Sequence, residues 1–231
     1  MPNRCLLYYI TDRSQFRGDE SARRRVLLAK VAEAGCAGVD YIQLREKDLS
    51  SRELEMLARD ALSAVRNSTP LRTENRELRT RLLINSRTDI ALAAGADGVH
   101  LRAVDLSPHE VRQMLEASAH RPPATSHFLV AASCHIAAEV FRAESENADF
   151  AVFAPVFEKK DAPLFLKKAT QPMGLAALRE ACRAKIRVLA LGGVAMENAA
   201  SCLNSGAAGV AGIRLFQENK IEDVVRALRA L

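Results

Sequence analysis

One short pattern recurs along the chain and limits what it can fold into. Residues 34–42 (AGCAGVDYI), 94–101 (AGADGVHL) and 205–213 (SGAAGVAGI) share a glycine, a brief turn and an apolar run. Residues 147–153 (NADFAVF) form a weaker copy, with Asn in the place of Gly. Each copy reads as a helix ending in a residue able to take the left-handed conformation, followed by a buried strand. The helix-ending residues Gly35, Gly95, Asn147 and Gly206 lie 60, 52 and 59 residues apart. A strand–helix unit takes about 30 residues. Each interval therefore holds two units, and the copies are every second strand of a series.

Short apolar runs at 6–10, 82–84, 129–132 and 188–191 supply the alternate strands. Eight strands are expected near 6–10, 39–44, 81–85, 97–101, 128–132, 149–153, 187–191 and 208–213. Helices are expected at 20–34, 51–66, 88–94, 108–118, 136–145, 173–183, 196–204 and 221–230. Strict alternation favours parallel strands, and eight units can close into a single α/β domain over 1–231, a (β/α)8 TIM barrel. The alternative is an open doubly wound sheet. That architecture wants a Gly-rich fingerprint after the first strand, where Thr11-Asp12-Arg13 stands instead. Two stretches interrupt the rhythm: a basic insertion at 67–80 and a Lys- and Pro-rich connection at 154–172, the candidate lid loop.

Composition narrows the class. Apolar residues make up 48% of the 231 and charged residues 26%, an ordinary globular balance. No apolar run approaches the roughly 20 residues of a membrane span. The N-terminal apolar block at 5–10 reads as a strand, not a leader. Five scattered cysteines, without a C-x-x-C pair, suit buried thiols in the cytoplasm better than zinc ligands. The net charge of +5 concentrates at 66–81 and 23–25 without interleaved aromatics. Solvated helix faces explain it better than nucleic acid does, and surplus positive charge suits phosphorylated small-molecule substrates. A homo-oligomer is left open.

In such barrels the chemistry sits at the C-terminal ends of the strands. Gln43, Arg45 and Lys47 follow strand two on one side of the chain, with Glu46 between the two cations as a potential counter-charge. Asn85 and Ser86 follow strand three, Asp105 strand four, Ser133 and His135 strand five, and Lys159 lies beyond strand six. Gly192-Gly193 and Gly212-Ile213-Arg214 follow strands seven and eight, where barrels commonly bind phosphate through backbone N–H groups. Tight turns are the alternative reading of these glycines, and a surface salt-bridge cluster that of residues 45–47. His100 is expected to fill the barrel interior. Asp105 is the carboxylate best placed for Mg²⁺ beside substrate phosphates.

Read in order, these residues resemble the thiamine-phosphate synthase and thiazole tautomerase family. YYITDR (8–13) is similar to its Y-x-I-T-D, and VDYIQLREKDLS (39–50) to its I-Q-x-R-E-K. LLINSR (82–87), GADGVHL (95–101), SCHI (133–136), APVFEKK (154–160) and LALGGV (189–194) resemble the family's later motifs. The resemblance implies a Mg²⁺-dependent transferase of thiamine biosynthesis, joining hydroxymethylpyrimidine pyrophosphate to thiazole phosphate and releasing pyrophosphate. It implies that Gln43, Arg45, Lys47, Asn85, Asp105 and Ser133 serve the pyrimidine and its pyrophosphate. Lys47 and Ser133 are catalytic candidates, and His135 is a third as an acid–base group, with a structural histidine as the alternative reading. Gly193 and its neighbours would take the thiazole phosphate. Several positions depart from the pattern. Ser86 stands for a metal-binding Asp, Arg102-Ala103 for Gly-Gln, and Arg214 for a small hydroxyl residue, while the lid motif has decayed to lysines. A tautomerase, which needs no pyrophosphate, and a non-catalytic phosphate-binding relative are the alternatives.

Overall fold

The computed structural model describes residues 4–68, 79–117, 127–158 and 171–231. Eight parallel strands close into a barrel in chain order: β1 (Leu6–Ile10), β2 (Tyr41–Leu44), β3 (Arg81–Asn85), β4 (Gly98–Leu101), β5 (Leu129–Cys134), β6 (Phe150–Phe153), β7 (Arg187–Ala190) and β8 (Gly209–Gly212). β8 pairs with β1 through the register Tyr8↔Ala211, which excludes the open sheet. The described helices are α1 (Glu20–Ala37), α2 (Ser51–Ser68), α3 (Thr88–Ala94), α4 (Pro108–Ala117), α5 (Ala137–Ser145), α6 (Gly174–Ala181), α7 (Ala199–Asn204), α8 (Arg214–Gln217) and α9 (Ile221–Arg229).

The four copies are the even-numbered strands, but the first copy is out of register. α1 runs through Gly35 and ends at Gly38, whose φ is +80°. Gly95, Asn147 and Gly206 do end their helical segments with positive φ. Aligned on these residues, the copies read GVDYIQL, GADGVHL, NADFAVF and GAAGVAG. The Asp in three of them is structural. Asp40, Asp97 and Asp149 accept from the N–H groups of Leu7, Leu82 and Val130, each on the preceding strand. Arg229 clamps Asp40 and Arg112 clamps Asp149. Expected α7 is shortened to its last six residues, and α8 was not foreseen. Of the charged stretch 66–81, Arg66 lies on α2 and Arg81 in β3, so only part of that charge is a helix face. Cys36 is exposed and Cys182 only partly buried, so the expectation of buried thiols holds for Cys5, Cys134 and Cys202.

Side chains alternate along each strand between the helix layer and the barrel interior. Ile42, Leu44, Ile84, Val99 and Val130 join the outer core, while Tyr8, Tyr41, Leu83, Phe150 and Leu189 fill the lumen. Tyr41 stacks on Phe150 with ring centroids 4.8 Å apart, and Tyr8 meets both rings edge-on. This aromatic plug packs the lumen as a core, and so confines polar chemistry to the mouth.

Candidate functional site at the barrel mouth

Above the plug the interior turns polar. His100 on β4 is 2% exposed and lies between Tyr8, whose hydroxyl is 3.0 Å from Nδ1, and Ser133, whose Oγ is 2.7 Å from Nε2. Burial, then the charge of Arg45, pushes its pKa down to about 3, so the ring is neutral. The Tyr8 hydroxyl has no other described partner and donates to Nδ1. Nε2 then carries the proton and donates to Ser133, leaving the serine hydroxyl hydrogen for another acceptor. Ser133 is thus a held donor, not a nucleophile, because the ring nitrogen facing it is no base. The expectation that His100 fills the interior holds. β5 is longer than anticipated, which places Ser133 within the strand.

Gln43, 2% exposed at the top of β2, donates to Asn85 Oδ1 at 2.8 Å, and Asn85 donates to Ser86 Oγ at 3.0 Å. Ser86 has a φ of +63°, a strained conformation for a serine. Beyond it, Asp105 accepts three hydrogen bonds from Arg102: from the backbone N–H at 2.7 Å, Nε at 3.3 Å and a terminal guanidinium nitrogen at 2.9 Å. Burial alone would raise the Asp105 pKa. The Arg102 side chain and backbone and the Ser86 hydroxyl outweigh it and hold the carboxyl below its ordinary value.

This bonding bears on Mg²⁺. The ion wants oxygen ligands in near-octahedral geometry, usually from one or two carboxylates. Here both oxygens of the single carboxylate are engaged by a guanidinium, and its neighbour is a neutral serine. Asp105 and Ser86 are brought together as expected, but as they stand they do not fit a resident metal ion. No cluster of three potential ligands occurs among the described residues.

The REK segment is organised by residues that sequence reasoning left outside the site. Glu46 does not serve as counter-charge to Arg45 and Lys47. It turns inward and takes hydrogen bonds from Thr11 Oγ1 at 2.6 Å, from the Arg13 N–H at 3.0 Å and from the Arg13 side chain at 3.1 Å. Arg13, 4% exposed, also pairs with Asp48 and Glu20. Thr11 Oγ1 accepts from the Arg45 N–H at 3.0 Å. With Glu46 anchored, Arg45 is half-buried and Lys47 is exposed. The signal was in the sequence, since TDR ends the first strand as REKD ends the second.

Across the mouth, Gly192 and Gly193 have φ of +92° and +64°. A Cβ on Gly192 would stand 2.7 Å from Pro155, and one on Gly193 2.6 Å from the Glu158 carbonyl. These glycines admit the β6 loop to close packing, so the space beside them is filled by protein. Their N–H groups have no acceptor among the described residues, and Asn198 pins the turn through the Gly193 carbonyl at 3.0 Å. Gly212 is small because Leu215 of α8 lies where its Cβ would be. Ile213 and the exposed Arg214 open α8. His135 is exposed, and its Nδ1 lies 2.7 Å from the Ala154 carbonyl, so Nδ1 bears the proton and ties the β5 and β6 loops together. Lys159 and most of the expected lid, like most of the 67–80 insertion, lie outside the described residues.

Comparison with known proteins bears on the same face. A family model described as thiamine monophosphate synthase matches residues 7–216. The thiamine-phosphate synthase of Methanoculleus marisnigri is 37% identical, covering 96% of this chain and 93% of its own. That of Syntrophomonas wolfei is also 37% identical, covering 97% and 95%. In structure, a thiamine phosphate pyrophosphorylase from Pyrococcus furiosus superposes with a TM-score of 0.74 at 25% identity, over 99% of this chain and 95% of that one.

Proposed function

The chain belongs to the thiamine monophosphate synthase family, and on that premise we propose that it joins hydroxymethylpyrimidine pyrophosphate to a thiazole phosphate, giving thiamine phosphate and pyrophosphate. The bond between the pyrimidine's carbinyl carbon and the pyrophosphate oxygen breaks, and its electron pair leaves with pyrophosphate. The thiazole nitrogen then supplies the pair that forms the new C–N bond. Such a reaction asks little covalent chemistry of the protein. It needs the growing negative charge held and water kept away.

The observation that carries this reading is the continuous polar arc from Gln43 through Asn85 and Ser86 to Asp105 and Arg102. In this reading Gln43, Asn85 and the Ser133 hydroxyl orient the pyrimidine over the aromatic plug. Arg45, Lys47 and Lys159 serve the pyrophosphate, and Lys47 and Ser133 act at the reacting bond. The Gly192-Gly193 turn and Ile213-Arg214 take the thiazole phosphate through N–H groups. His135 holds the β5 and β6 loops together beside the reacting groups. No step runs through a resident Mg²⁺.

Incubation with both substrates, with thiamine phosphate read by its oxidation to a fluorescent product, tests the proposal. Gln43→Ala should lower kcat/KM at least about tenfold while thiazole phosphate binds as before. Proton exchange at the thiazole without coupling would establish a tautomerase instead. Binding of thiazole phosphate without either reaction would leave a non-catalytic relative.

A further inference from the structure

The Arg102–Asp105 pair has more order than a surface ion pair needs. The Arg102 side chain is 54% exposed at the rim, whereas Asp105 is 10% exposed and takes three of its hydrogen bonds. Engagement through Nε and one terminal nitrogen fixes the plane of the guanidinium. It uses two of five N–H donors, and the other three have no acceptor among the described residues. A guanidinium held by one edge presents the other as a fork, the geometry that suits phosphate oxygens. Beside it opens a cleft of about 240 Å³ that also admits Ser133 and Arg142. Three glutamates also line the cleft: Glu110 is committed to Ser107 and Glu139 to the His135 N–H, while Glu146 caps the C-terminal end of α5.

We propose that Arg102, clamped by Asp105, is the fixed cation that receives the pyrophosphate group at this rim, and that Asp105 is its positioning residue and not a metal ligand. The inference rests on the synthase reading for the identity of the anion. It accounts for Ser86 as well. A second carboxylate beside Asp105 would compete for the guanidinium, whereas a hydroxyl supports the existing pair. Charge neutralisation of the leaving group then comes from a side chain already in place.

Calorimetric titration with inorganic pyrophosphate in EDTA, and again with Mg²⁺, tests this on the intact protein. Wild type should bind pyrophosphate in EDTA, and Arg102→Ala should weaken that binding at least about tenfold. Arg102→Lys should recover only part of it, because an ammonium lacks the fork. Asp105→Asn should give an intermediate loss, and none of the three should change thiazole phosphate affinity. If wild type binds pyrophosphate only with Mg²⁺, or Arg102→Ala binds it in EDTA as wild type does, the proposal is overturned. Dependence on Arg102 in a protein that makes no thiamine phosphate would leave this inference standing and defeat the synthase reading. Synthesis indifferent to Arg102 would do the reverse.

Discussion

At the scale of single residues, the mouth is built from polar groups whose freedom has been removed. His100 is neutral and spent on two hydroxyls, and its shift has a consequence for stability. Its folded pKa of about 3 lies below the ordinary value of 6.5, so the folded state binds fewer protons between those limits. The contribution is complete above pH 6.5 and is lost as pH falls toward 3. The slope attributable to this one group is about 1.4 kcal/mol per pH unit. Urea unfolding of wild type and His100→Gln across pH 4–8 checks it. The wild-type curve should fall more steeply below pH 6.5, and the variant should lack that component. Parallel curves would show that the imidazole is not held neutral.

At the scale of elements, the repeat announced the barrel because its physics is local: a left-handed residue, a turn, then a strand. What it could not announce was which of two glycines ends α1, since Gly35 and Gly38 offer the same local chemistry. Tertiary packing decides it, because Gly35 lies against Ser68 at the end of α2, where a Cβ would meet the serine hydroxyl, whereas nothing crowds Gly38. Alanine at Gly38 should therefore cost about 1–2 kcal/mol through left-handed strain alone. At Gly35 alanine should also destabilise, by overpacking, but Ser68→Ala should rescue Gly35→Ala and not Gly38→Ala in urea unfolding. Rescue of both, or of neither, would contradict the helix end at Gly38. The same limit explains the site. Gln43, Asn85, Ser133 and Asp105 were legible because strand ends face the mouth in any such barrel. The roles of Arg13 and Glu46 were not, because they depend on contacts between loops distant in sequence. The Arg102–Asp105 pair, only three residues apart, was missed because Asp105 was read as a ligand waiting for a metal.

At the scale of the whole molecule, the barrel lets some loops of its mouth change while another stays. The arc on β2–β4 carries the departures at Ser86 and Arg102, and the turn after β7 keeps the Gly-Gly geometry. Because each βα loop is carried on its own strand, a metal-binding arc should be recoverable without disturbing the other side. Ser86→Asp alone should fail to create a tight site, since Arg102 would bridge the two carboxylates. Combined with Arg102→Gly, it should free both oxygens of Asp105 beside a second carboxylate, the donor set a hard divalent ion prefers. The backbone favours the exchange, because aspartate accepts positive φ better than most residues and position 86 already has it. Paramagnetic titration with Mn²⁺ in the absence of substrate should show the double variant binding at least about tenfold more tightly than wild type or Ser86→Asp. Thiazole phosphate affinity should be the same in all three. If Ser86→Asp alone binds Mn²⁺ as tightly as the double variant, Arg102 is not what closes Asp105 to metal, and the missing carboxylate was the whole of the difference.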